Sequence, residues 1–338
     1  MSSSAADMHS RAIIIDAHND SMVRRLDAGL PMDLAHPVEH YHVDLPRLRD
    51  GGVTALFSYC GSTDLPKALK ILDATHRMVQ DHPEDFLLVS SAEDVLAAKS
   101  QGRIGVIPQL ESLSCCMGDV AVLRGLHMLG VRVGNLTHGE APEHGCQEQP
   151  SLFDYCTAAD RDKMRKEERG LTDFGRAAIR EMNELGMVVD LAHSNDAAFY
   201  EALELSQTPP IFSHGSVFAI CPHSRGLTDD MIRALADAGG VHGVACYTKF
   251  IHREHPDMQT LVDLIEHSIN LVGPDHVGLG ADYDGLPETE IPVPPHVGLL
   301  EQITEEVVRR DWDEETIGKV LGGNFLRVLD VALPRQEP

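Results

Sequence analysis

Residues 13–20, Ile-Ile-Ile-Asp-Ala-His-Asn-Asp, decide how the rest of the chain is read. A β-branched apolar run too short for a helical period predicts a buried strand, and it leads directly into His18 and Asp20. Side chains on a strand alternate with period two, so an imidazole and a carboxylate two residues apart share one side. Such a pair can ligate a hard-to-borderline cation. Alone it is a weak sign, because the chain holds 19 histidines and 53 acidic residues, and His-x-Asp recurs at His42/Asp44 and His255/Asp257. The test is whether other strands end in the same chemistry.

Outward from that strand, residues 21–53 carry Gly29, Pro31, Pro37 and Pro46 and read as a long connection ending in a short helix over 45–50. Apolar runs predict further strands at 53–60, 104–111, 131–138, 187–193, 210–214, 241–247 and 276–284. Helical periodicity predicts helices between them at 65–80, 92–99, 120–129, 197–205, 229–238 and 261–272. Thr172 is placed as the N-cap of another helix, with Ile179, Met182 and Leu185 on its apolar face and Gly186 as its stop. Two helices, near 299–310 and 315–331, close the chain. Eight strands alternating with helices in 338 residues predict a single-domain α/β fold, a TIM-type (β/α)8 barrel, rather than an open sheet. Residues 139–170 break the rhythm as a long polar insertion after strand four, and the charge run from Arg161 to Arg169 reads as a solvated face. No repeat of 20–50 residues is visible, which argues against a solenoid.

Composition narrows the function classes. The hydrophobic content of 43% suits a large core, and no apolar run approaches membrane-spanning length. Residues 1–10 have neither a basic segment nor an apolar signal region, so they are expected to be flexible and the protein cytoplasmic. Seven scattered cysteines form neither a disulfide framework nor a Cys-x-x-Cys pair; Cys115 and Cys116 read as small buried hydrophobes. A formal net charge of −25 argues against nucleic-acid and anionic-membrane partners.

In a barrel of this kind the chemistry sits at the C-terminal ends of the strands. Strand one ends in His18 and Asp20, three in Glu111, four in His138, five in His193, six in His214, and eight in Asp282 with Asp284. Any one of these could be a hydrogen-bonded structural residue; their convergence carries the argument. The set suits two divalent cations about 3.5–4 Å apart, which repel unless an anion bridges them, and Glu111 is the carboxylate best placed to do so. His18 and Asp20 complete one metal position, and His193 and His214 the other. Bound water falls to a pKa of about 7, so a bridging hydroxide would be the nucleophile. Asp20, Glu111 and Asp282 with that hydroxide balance the cationic charge. Asp190 is expected to orient a neighbouring ligand and Asp284 to brace a loop.

Several ordered motifs resemble the membrane (renal) dipeptidase family, a zinc-dependent branch of the amidohydrolase superfamily. They are Ile-Asp-Ala-His-Asn-Asp at 15–20, Gln-Leu-Glu at 109–111, Asn-Leu-Thr-His at 135–138 and Gly-Leu-Thr-Asp-Phe-Gly-Arg at 170–176. Val-Asp-Leu-Ala-His at 189–193, Ile-Phe-Ser-His at 211–214, Gly-Ala-Asp-Tyr-Asp-Gly at 280–285 and Gly-Gly-Asn-Phe-Leu-Arg-Val at 322–328 follow. The resemblance implies two zinc ions on His18, Asp20, bridging Glu111, His193 and His214. It implies that His138 steadies the oxyanion, that Arg225 holds the substrate's terminal carboxylate, and that Asp282 moves the proton from water to the leaving amine. An aromatic hydroxyl near strand seven is also implied, with Tyr247 and Phe250 both close. The implied activity is hydrolysis of L-Xaa-L-Xaa and L-Xaa-D-Xaa dipeptides by a homodimer. Gly139-Glu140-Ala141-Pro142 and Gly226 replace the family's usual asparagines, and both changes bear on specificity. Hydrolysis of an N-acyl amino acid, a lactam or a lactone is the alternative, followed by a catalytically silent metal-binding scaffold.

Overall fold

The computed structural model describes residues 4–61, 63–139, 143–167, 169–285 and 290–334. The strands expected from the apolar runs are β1 (Ile15–Asn19), β2 (Ala55–Tyr59), β3 (Ile104–Leu110), β4 (Val133–Asn135), β5 (Val188–Asp190), β6 (Ile211–Val217), β7 (Val241–Val244) and β8 (Val277–Leu279). Each pairs in parallel with the next. The ring closes through a bridge between Asn19 and Tyr283, where the Asp20 amide donates to the Tyr283 carbonyl (2.8 Å) and the Asp282 amide to His18 (3.0 Å). The result is a nearly closed parallel barrel with helices outside it, as the alternation of patterns predicts.

Alternation along the strands divides the apolar residues into two layers. Ile15, Ala55, Phe57, Ile107, Val133, Val188, Ile211 and Val241 form one cluster with Phe325, Val328 and Leu329 of the C-terminal helix Asn324–Ala332. Phe325 meets Phe57 edge-on at 5.9 Å. Leu56, Val106, Val189 and Val244 point the other way, into the larger cluster shared with helix residues such as Ile71, Ile179 and Leu235. At roughly 1.5–3 kcal/mol for each fully buried large side chain, these layers supply the stability that lets polar groups gather at the strand ends.

Two irregularities aim the site. Between Asp16 and Asn19, three residue steps on β1 span two on β2, and between Phe212 and Gly215 three steps on β6 again span two on β7. His18 lies inside the first bulge and His214 inside the second, so a local break in alternation turns each imidazole toward the barrel axis. The bulged carbonyl of Ser213 occupies space that side chains would otherwise fill: a Cβ on Gly243 or Gly280 would lie 1.9 or 1.8 Å from it.

Several expectations are corrected. Of residues 1–10, expected to be flexible, 1–3 lie outside the described residues and 5–10 fall in the helix Ala5–Arg11, which has a Ser4 capping box and is tied by buried His9 to Thr304 and Gly51. The connection over 21–53 opens with a helix, Ser21–Asp27, whose apolar Met22, Val23 and Leu26 were masked by Arg24 and Arg25 between them. Strand eight stops at Leu279, because Asp282 and Asp284 adopt left-handed backbone angles (φ +61° and +64°) that end a strand. Two short strands were missed, Phe86–Leu88 beside β3 and Gly226–Leu227 beside the end of β6. The last expected helix divides into Glu314–Gly318 and Asn324–Ala332 around a wide turn, where Gly322 passes so close to β1 that a Cβ would lie 2.6 Å from the Ile13 carbonyl. Among the described residues no helix is long and apolar enough to cross a membrane. All seven cysteines are free, and Cys115 and Cys116 are buried as expected.

Candidate active site

At the C-terminal mouth of the barrel, Glu111 follows β3 and faces four imidazoles. Its Oε1 lies 3.0 Å from His193 Nε2, 3.4 Å from His18 Nε2, 3.6 Å from His214 Nε2 and 3.7 Å from His138 Nε2. His18 Nε2 is also 3.5 Å from Asp20 Oδ2, and the rings of His18 and His214 stack at 3.8 Å. Asp20 is not on the strand, as the period-two argument assumed. It is the N-cap position of the helix Ser21–Asp27, and the turn after the β1 bulge brings it back to His18. Ligand atoms of His18, Asp20 and Asp282 lie within 4.8 Å of one another, as do those of His18, Glu111 and His214, and of Glu111, His138 and His193. The structure therefore brings every sequence-predicted ligand into one cluster.

Buried polar partners fix these rings. His18 Nδ1 is 3.0 Å from Gln109 Oε1, and Gln109 Nε2 donates to Asp190 Oδ2 at 2.7 Å. Asp190 in turn accepts from the Ala192 and Ser213 amides, so it orients His18 through Gln109. His214 Nδ1 pairs with Ser213 Oγ (2.8 Å), and Ser151 Oγ donates to the His193 carbonyl. Asp284 accepts from Ser21 Oγ (2.6 Å) and the His42 amide (2.7 Å), bracing the loop after β8 as expected.

The electrostatics call for positive charge. Burial and then the Asp20 carboxylate push Asp282 well above the usual carboxylate range, and burial with Glu111 raises Asp20. Burial also opposes charge on Glu111, but His138 and His18 outweigh it and hold its carboxyl well below the usual range. Burial holds His193 and His214 well below their ordinary value, helped by Arg225 for the first and by His18 and then Arg225 for the second. That favours the neutral imidazole, the form that ligates metals. His18 Nε2 is buried with no hydrogen-bond partner among the described residues, and His193 Nε2 faces His214 Nε2 at 2.9 Å. Three close carboxylates, a buried imidazole nitrogen that faces two of them without forming a hydrogen bond, and two opposed imidazole nitrogens fit divalent cations better than they fit protons alone.

Around the cluster is a cavity of about 500 Å3, lined by Asp20, Glu111, His138, His193, Arg225, Tyr247, Phe250 and Asp282 among others. Arg225 is buried, its Nη2 donates to the His214 carbonyl (3.1 Å), and its Nε and Nη1 have no partner among the described residues. Both Tyr247 and Phe250 line the cavity, and only Tyr247 brings a hydroxyl. Gly226 stands where the family's asparagine was expected because its backbone is packed against Phe218; a Cβ would lie 2.8 Å from the Phe218 nitrogen. Glu140–Pro142, the other departure, lies outside the described residues.

The insertion is more than a solvated face. Ser151, Leu152 and Phe153 form part of the cavity wall, and Arg161 of the helix Ala158–Glu167 is buried in a two-point pair with Asp196 (2.9 and 2.7 Å) and a bond to the Gly226 carbonyl. Sequence reasoning missed this wall, and the adjacent apolar Leu152 and Phe153 in a polar stretch were the available signal. It also missed Gly285, where a Cβ would lie 2.3 Å from Asp20 Oδ2 and 2.6 Å from Asp282 Oδ1.

The sequence profile described as Membrane dipeptidase (Peptidase family M19) matches residues 2–336. The chain belongs to the membrane dipeptidase family. It is 31% identical to an uncharacterized dipeptidase of Schizosaccharomyces pombe over 94% of this chain and 80% of that one. It is 32% identical to dipeptidase aclJ of Aspergillus oryzae over 87% and 71%. In fold it is similar to a metallopeptidase of Rhodobacter sphaeroides solved with a phosphinate mimic of L-Ala-D-Ala (TM-score 0.83, 22% identity, 95% and 99% covered). It is also similar to a metallopeptidase described as dipeptidase AC (TM-score 0.82, 23% identity, 95% and 99% covered). Membership makes this chain a dipeptidase of that family, built on the barrel its sequence predicts.

Proposed function

We propose that the protein is a binuclear, zinc-dependent dipeptidase acting on L-Xaa-L-Xaa and L-Xaa-D-Xaa dipeptides. The observation that carries this reading is the meeting of Glu111 with His18, His193 and His214 in one buried cluster, with Asp20 and Asp282 beside it and Arg225 across the same cavity. His18 and Asp20 would hold one ion, His193 and His214 the other, and Glu111 both. The ions supply Lewis acidity and lower the pKa of water toward about 7. Arg225 receives the substrate's terminal carboxylate through the charge of its buried guanidinium, whose Nε and Nη1 have no hydrogen-bond partner among the described residues. His138, half-exposed at the mouth, donates to the carbonyl oxygen as it gains negative charge. Asp282 takes the proton from the attacking water and returns it to the amine as the C–N bond breaks.

Hydrolysis of a dipeptide panel that includes L-Ala-L-Ala and L-Ala-D-Ala, with and without chelator and with metal counted on the same sample, tests the reading. Cleavage that depends on about two ions per chain supports it. Two ions without dipeptide cleavage overturn the substrate assignment and move it to N-acyl amino acids, lactams or lactones; cleavage unaffected by full metal removal overturns the metal assignment.

A further inference from the structure

Away from the barrel mouth, a second cluster of metal-ligating side chains joins the connection after β1 to the end of the helix Leu65–Asp81. His36 Nδ1 lies 2.8 Å from Asp33 Oδ2, and His82 Nε2 lies 3.1 Å from the same oxygen. All three ligand atoms fall within 4.8 Å of one another. None of these residues lines the catalytic cavity. Asp33 and His82 are partly buried, while His36 is open to solvent.

Both sides of the cluster are anchored. Asp33 Oδ1 accepts from the Ala35 amide (2.9 Å), and the buried Arg25 guanidinium bonds the carbonyls of Asp33 (3.0 Å) and His36 (2.9 Å). Leu34 between them is fully buried, with its amide on Met78 Sδ. His82 caps its helix, its amide bonded to the Met78 carbonyl and its own carbonyl to the Asp85 and Phe86 amides. Two imidazoles and a carboxylate are thus aimed at one point by backbone that is already ordered, so little ordering entropy remains to be lost on binding.

We propose that Asp33, His36 and His82 form a separate surface site for a borderline divalent cation such as Zn2+. A neutral imidazole can move its proton to its other ring nitrogen, which frees a lone pair facing Asp33 Oδ2 on each ring. In tetrahedral coordination at about 2.0–2.1 Å, neighbouring donors lie about 3.3–3.4 Å apart, so the two contacts with Asp33 have to open by about half an ångström or less and the two imidazole nitrogens, within 4.8 Å of one another, have to settle at the same spacing. Two nitrogens and one oxygen leave a fourth position for water. The formal net charge of −25 raises the local cation concentration. A bound ion would cross-link the Asp33–His36 loop to the helix end, independently of the catalytic metals.

The test is a Zn2+ titration of the stripped full-length protein against a chromophoric chelator, comparing wild type with His36→Ala and His82→Ala. The expected result is one equivalent fewer in each variant at micromolar free Zn2+, with dipeptide kcat/KM within about twofold of wild type. Co2+ loading should show the matching loss of visible absorption. Equal stoichiometry in all three proteins overturns the proposal, as does filling of the extra position only at millimolar Zn2+. Because it compares variants outside the catalytic cavity, the difference stands or falls whatever the barrel-mouth metals do.

Discussion

Replacing Arg225 with Met tests carboxylate recognition, because a substrate without the carboxylate reports what the substitution does to the rest of the site. In the wild type, Nε and Nη1 are buried donors without hydrogen-bond partners among the described residues, and a substrate carboxylate oxygen can satisfy one of them. A hydrogen bond to a charged group contributes about 1.5–3 kcal/mol. At about 1.36 kcal/mol per tenfold, that corresponds to a loss of roughly 10- to 10²-fold in kcat/KM on a free dipeptide. The assay compares L-Ala-L-Ala with its C-terminal amide. Wild type prefers the acid; Arg225→Met should lose that preference, because the amide never used the charge. Stability gives the control. Burial pushes Arg225 down to about 10, a sign that its charge is costly where it stands. Replacing a buried, incompletely paired charge with an apolar side chain is commonly neutral or stabilising, so melting should be unchanged or higher. A folded variant that still prefers the acid by the wild-type factor would refute the assignment.

Two other perturbations follow from the same geometry. Gly285→Ala puts a methyl within 2.6 Å of both Asp20 Oδ2 and Asp282 Oδ1, and displacements of this size cost about 100-fold in kcat without unfolding the barrel, as rates and circular dichroism on one sample would show. Arg161→Ala breaks the buried pair with Asp196 and the bond to Gly226; because Asp196 keeps Arg165, the loss should lie near the lower end for broken buried pairs, about 3 kcal/mol by denaturant unfolding, with KM raised as the Ser151–Phe153 wall loosens.

The barrel and the residues proposed as ligands were legible because strand patterns are short, apolar and separated by helical periods, and because those residues stand where such strands end. Period two alone would have misplaced three of them. His18 and His214 reach the axis through bulges, and Asp20 through a helix N-cap, and neither device has a distinct residue signature here. Buried cations were illegible for a different reason. Arg25 and Arg161 look like surface charges in sequence, yet Arg25 organises its loop through backbone carbonyls distant from it, and Arg161 depends on Asp196 across the insertion. Gly322 could be read only once its approach to β1 was known.

The most direct test of the account is Asp282→Asn, measured for metal content and for dipeptide hydrolysis on the same sample. The account predicts wild-type metal stoichiometry with kcat lowered about 10²- to 10⁴-fold, since the amide keeps the shape of the side chain and cannot carry the proton. A variant that keeps both its metals and its rate would contradict it.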